Sequence, residues 1–203
     1  MNLVINLRAH SRTGKARRGR AQAMVEFGLI ALLFVLMLFG IADFGMLLNG
    51  WINVSTGSAA GARWAALGNY LDGTPGVYSQ AKASAIVPGL STSSIKMIVT
   101  YTSSSGSFAT TNYCRGYGNH TSSYTVQVNG VTRTCAADPS GVDQPASPVT
   151  PAAGDSVQVM VLADTFEVIT PLVRPFFGCS TTQAHCYVPL TSSTTMRYEG
   201  SAV

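Results

Sequence analysis

Residues 27 to 42, FGLIALLFVLMLFGIA, carry no charge, and an acid stands at each edge of the run, Glu26 and Asp43. Ahead of the run, residues 1 to 21 hold six basic side chains (Arg8, Arg12, Lys15, Arg17, Arg18, Arg20) and no acid. Taken through Asp43 to Leu48, the mainly apolar stretch reaches a helical length of about 33 Å, enough to cross a bilayer. No proline interrupts it. A membrane-inserting helix is the expectation. The basic block places its amino-terminal flank on the cytoplasmic side, and everything from about Asn49 onward outside the cytoplasm.

The net charge of +4 is unevenly distributed. Beyond residue 21 the balance turns slightly acidic. A nucleic-acid binder spreads basic residues and aromatics over a folded face, whereas here they cluster before an apolar segment. That argues against a nucleic-acid partner.

Cys114, Cys135, Cys179 and Cys186 all fall in the part expected to be exported. An even count there points to disulfides, and four cysteines allow three pairings. Cys114–Cys135 with Cys179–Cys186 is favoured because each closes a local loop. A zinc site is disfavoured: His120 and His185 lie near cysteines, but at spacings that match no compact ligand knuckle. No cofactor is implied.

Residues 1 to 21 read as irregular, with Gly14 and Gly19 opposing a helix. Apolar and small residues then continue past the membrane segment at helical spacing, through Trp51, Val54, Ala59, Ala62 and Ala65. One long helix is expected from about Ala23 to Leu67, with a bend near Asn49–Gly50. Gly57 and Gly61 form a G-x-x-x-G pattern, which suits helix–helix approach or tight packing on the chain's own domain. After the turn residues 68 to 76, a short helix is expected over 79 to 86.

Beyond it, Thr, Ser and Val alternate as in half-buried strands. Strands are expected at 94 to 102, with Ile95, Met97, Val99 and Tyr101 on one face, and at 155 to 166 and 189 to 200. Residues 124 to 135 read as a hairpin around Asn129–Gly130. Residues 103 to 123 and 136 to 154 are expected to be exposed loops; "TPLVRPFFG", 170 to 178, reads as a short helix or docking loop. The fold class is α+β: a long amino-terminal membrane-spanning helix running into a small antiparallel sheet, with a leader at 1–21, the helix at 22–68 and a head at 69–203.

No nucleophile elbow is present, and "TGK" at 13 to 15 lacks the rest of a phosphate loop. Asp155, Asp164 and Glu167 read as solvated strand-edge acids. Asn53 and Asn119 head glycan-acceptor triplets of a kind chance supplies often. The specific signal is Glu26. An amine and a carboxylate close together neutralise what each alone makes costly. A cut between Ala21 and Gln22 creates an amino terminus four residues, about one helical turn, before Glu26, and a helix start favours nearby negative charge.

This arrangement resembles the class III signal of prepilins, in which a prepilin peptidase removes a basic leader and Glu stands fifth in the mature chain, followed by an aromatic. Gln22, Glu26 and Phe27 match. The family usually has Gly before the cut, whereas this chain has Ala21, with Gly19 two residues earlier; cleavage after Ala21 is preferred.

The resemblance narrows to the TadE-like family, pseudopilins or minor pilins of tight-adherence (Flp) pilus systems. It rests on Glu26–Phe27, on Asp43–Phe44–Gly45, and on Gly61–Ala62–Arg63–Trp64–Ala65–Ala66. It implies a pilin-like, non-enzymatic, membrane-held subunit whose partners are the peptidase, other pilins, Tad assembly proteins and membrane lipid. Asp43, near the outer interface, is expected either to snorkel or to pair with a cation of an adjacent subunit. Arg63 of the same chain stands about 30 Å further along the helix. The competing reading is an extracytoplasmic binding or hydrolase domain behind an ordinary signal, cut near 57 to 62.

Overall fold

The computed structural model describes residues 13–68, 76–86, 94–107, 109–118, 120–137, 151–168, 175, 178–180 and 185–199; at 13–21, 164 and 165 it describes the backbone only. The chain divides into two units, Met1–Ala42 and Asp43–Val203.

Helix α1 runs over Thr13–Ala66 without interruption. It starts ten residues before the expected Ala23, and Gly14 and Gly19 do not break it. Each glycine costs only about 1 kcal/mol relative to alanine, and Lys15, Ala16, Arg17, Arg18, Arg20 and Ala21 between and after them all favour the helix. Asn49 and Gly50 likewise remain helical.

In the second unit, α2 (Val77–Ser84) precedes a sheet of six strands among the described residues: β1 (Ile95–Thr102), β2 (Thr111–Arg115), β3 (Tyr124–Val128), β4 (Val131–Cys135), β5 (Ser156–Glu167) and β6 (Tyr187–Arg197). Their order is β3-β4-β2-β1-β5-β6. The fold is α+β. One expectation needs correction. Residues 103 to 123 are not loop throughout, because β2 lies within them and pairs antiparallel with β1, Val99 opposite Tyr113. The sheet is antiparallel apart from one pair, where β2 meets β4 in parallel through Asn112 and Cys135. Residues 138–150, most of the second expected loop, and most of 170–178 lie outside the described residues.

Alternation along β1 divides the core. Ile95, Met97, Val99 and Tyr101 pack with Val157, Val159, Val161, Ala81 and Ala85, and with Val54, Ala62 and Ala65 of α1. Ile98 faces the other way and packs with Cys114, Val126, Val128, Cys135 and Leu162. Between β3 and β4, Asn129 and Gly130 take positive φ (49° and 77°), the two-residue turn whose twist matches paired strands. At the tip, the Asn129 amide donates to Thr191 Oγ1 of β6 at 3.1 Å. Since β6 lies at the opposite end of the strand order, the hairpin folds back across the outer face of the sheet. Two apolar layers result, one on each face.

Candidate functional site

From Met24 to Ile41 the apolar side chains of α1 are uncovered in every direction around the helix. Met24 is 78% exposed, Phe27 74%, Leu33 73% and Phe39 54%. Successive helical residues are turned by about 100°, so an apolar run exposed except at half-buried Ala31 and Gly40 leaves no polar face. Such a cylinder requires lipid or other apolar helices around it. The helix is long and apolar enough to cross a membrane, with a mean hydropathy of 2.6 over its most apolar window. Glu26 is exposed at its start, beside Phe27.

At the other edge of the run the second acid behaves differently. Asp43 is only 8% exposed and engaged within the chain. Phe44 remains 57% exposed, and among the described residues nothing lies within 4 Å of where a Gly45 side chain would begin. Arg63 is exposed, and the 20 helical positions from Asp43 separate the two by about 30 Å.

Gly57 and Gly61 make room for the chain's own head. A Cβ added at Gly57 would meet the Cβ of Ala85 at 2.5 Å and the Ala81 carbonyl at 2.8 Å; one at Gly61 would meet Val159 at 3.0 Å and Ala81 at 3.1 Å. The G-x-x-x-G pattern thus brings α1 against α2 and β5. Between the two glycines, buried Ser58 donates to the Ser55 carbonyl at 2.8 Å and lies 2.9 Å from Thr194 Oγ1 and 3.3 Å from Ser192 Oγ. Asn53 donates to the Ile86 carbonyl at 2.7 Å. The Glu199 N–H bonds the Ala66 carbonyl at 3.0 Å, satisfying one of the acceptors a helix end leaves open.

Cys114 is bonded to Cys135, and Cys179 to Cys186. The first bridge joins β2 to β4, where only one residue pair links the strands. Asp155 is not a solvated acid. It is 1% exposed, and its carboxylate accepts from the Ser104 N–H at 2.8 Å, the Ala152 N–H at 2.8 Å and the Ser104 hydroxyl at 2.9 Å. These donors, the Ser104 backbone foremost, hold its carboxyl below the usual carboxylate range despite burial. Glu167 meets His185 at 2.7 Å on the surface. Burial, with Tyr198 and Tyr113 alongside, pushes the Tyr101 hydroxyl above its ordinary pKa.

Sequence reasoning missed Ser58, whose signal was its place between two small residues on an otherwise apolar face. It also missed the anchoring role of Asp155, which depends on Ser104 from a segment read as loop. Among the described residues no group of three or more His, Cys, Asp or Glu is arranged to hold a metal.

No curated protein and no solved structure matches the chain. The family model of TadE-like proteins matches residues 21–63. That match starts at the boundary of the basic segment, includes Glu26 and Asp43, and ends at Arg63 beyond the two glycines. From Ala21 to Arg63, the helix that carries the apolar cylinder is similar to TadE-like proteins.

Proposed function

We propose that this chain is a minor pilin or pseudopilin of a tight-adherence, Flp-type pilus: a non-enzymatic subunit, held in the inner membrane by α1, that takes part in pilus assembly and adhesion. One observation carries the reading. The apolar cylinder from Met24 to Ile41 is exposed all round and begins with Glu26, one helical turn after Gln22. A plain anchor gains nothing from a carboxylate there, because charge at hydrocarbon depth is costly. A helix that must leave lipid and pack among sister helices gains a register mark, since Glu26 neutralises a newly freed amino terminus, its own or a neighbour's.

In this reading a prepilin peptidase removes residues 1–21 at the inner face, the head from 69 onward lies outside the cytoplasm, and other pilins and Tad assembly proteins are its partners. The two disulfides, both in the head, support an oxidising location. A conventional signal-peptidase cut near 57 to 62 is opposed by burial. Val54, Ser58 and Ala62 are 0% exposed, so such a cut would remove part of the core.

Shearing surface filaments from cells and probing the fibre fraction for this chain tests the proposal. Wild-type protein is expected with the fibres. Glu26→Gln protein is expected to remain in the membrane. Absence of the wild type from fibre and assembly complex alike would overturn the reading.

A further inference from the structure

We propose that the head is seated in the headgroup layer of the membrane leaflet on its own side, on an apolar foot made by Trp51, Ile52 and Ile86. The three are 50%, 54% and 60% exposed, and two different elements supply them. Trp51 and Ile52 belong to α1. Ile86 follows α2, and its carbonyl accepts from the Asn53 amide at 2.7 Å, which holds it at the level of Ile52. Gly61 faces Ala81, while Gly57 faces both Ala81 and Ala85. Helix α2 therefore runs antiparallel to α1 here, and its carboxyl end points back toward Asp43.

The helical rise sets the depth. The charge-free run, 27 to 42, covers about 24 Å, whereas a hydrocarbon core is about 30 Å thick. The core therefore takes in roughly four more residues, through Met46. The headgroup layer adds about 5–7 Å on each side, which reaches Trp51. Asp43 is the one charge in this extension, and it is only 8% exposed, so lipid hardly meets it. Phe44, Met46 and Leu48 are exposed over the same turns. Asn49, also exposed, falls where headgroups can bond its amide. Past Ile52, the next exposed positions of α1 are Thr56 and Arg63. Exposure changes from apolar to polar within about one turn, as it does where lipid gives way to water.

Lipid fits this surface better than a second helix does. Tryptophan is enriched at membrane interfaces, because its ring is apolar while its indole N–H seeks a polar partner. A helix packed along α1 needs apolar positions on every turn it covers. The exposed apolar positions of α1 instead stop at Ile52, and Ile86 continues them sideways from another element. The surface is thus a level across the base of the head, the form suited to lying in an interface.

The inference rests on the membrane-held part of the reading above and not on entry into a pilus. Full-length protein is reconstituted in phosphatidylcholine vesicles, and resistance to alkaline carbonate establishes insertion. Trp51 and Trp64 are the two tryptophans, so Trp64→Phe leaves Trp51 as the indole emitter. Its emission is quenched by a nitroxide on the lipid headgroup and, separately, by one deep in the acyl chain. A greater loss to the headgroup label is expected. The combined variant Trp51→Phe, Trp64→Phe, Ile86→Trp reads the depth of the second element and should show the same order. Trp51→Phe alone leaves Trp64, which should lose no emission to either lipid label. Near-UV circular dichroism melts establish that each variant is folded. In carbonate-resistant protein, a greater loss to the deep label, or no loss to either label at position 51 or 86, would overturn the seat and leave the anchor standing. Protein stripped by carbonate would overturn anchor and seat together.

Discussion

A Cβ placed on Gly57 would lie 2.5 Å from the Cβ of Ala85 and 2.8 Å from the carbonyl oxygen of Ala81. Neither neighbour is the end of a flexible side chain, so α1 and α2 must move apart to admit even a methyl group. Gly57→Ala is therefore expected to destabilise the head by about 1–3 kcal/mol through overpacking, lowering its melting temperature by roughly 2–4 °C per kcal/mol. Gly45→Ala meets nothing within 4 Å among the described residues and should leave the same melt unchanged. Thermal denaturation in detergent, followed by near-UV circular dichroism, compares the two.

Ser58 joins α1 to the last strand through Thr194 and Ser192. Ser58→Ala takes a partner, itself fully buried, from those two half-buried hydroxyls. A loss of about 1 kcal/mol is expected, read as a lower urea midpoint at unchanged slope. A midpoint equal to wild type would mean that the link contributes nothing.

The helix, its small-residue continuation and most strands were legible because each is written in local periodicity. The face of β1 follows from Ile95, Met97, Val99 and Tyr101 alone, and the turn at Asn129–Gly130 from two residues that tolerate positive φ. Strand β2 was not legible: Thr111–Arg115 is five residues long, set among Ser and Gly, and is held by pairing with β1 and the bridge to Cys135. The hairpin's return across the sheet was hidden for a similar reason, since it depends on Val126 and Val128 finding Ile98 and Leu162. Of the sites, Glu26 stood out by its cost in an apolar setting. Asp155 did not, because it draws its meaning from distant backbone N–H groups.

Asp155 gives the head an acid-dependent component of stability. Its folded pKa lies below the ordinary value, so its contribution is present above the unfolded carboxyl pKa, about 3.9. It is lost as pH falls through the folded value. Wild type should melt above Asp155→Asn at neutral pH, and the gap should narrow as pH drops from about 4 toward about 2. Paired melts over that range check the sign. A gap that stays constant would contradict it.

Removing the bridge between Cys114 and Cys135, which closes a loop of sequence separation 21, should cost about 3 kcal/mol on chain entropy; the Cys179–Cys186 bridge, at separation 7, should cost about 2 kcal/mol. The first also lies in the outer core layer, so its double alanine variant should lose more. Urea denaturation of the two double variants ranks them.

Cleavage between Ala21 and Gln22, which puts a free amine one helical turn before Glu26, is tested most directly by the amino terminus of the mature protein. Native membrane material is purified, its intact mass taken and its first residues sequenced. A chain beginning at Gln22 is the predicted result. A chain that keeps Met1 and the basic segment, or one that begins near Ala60, would contradict the account.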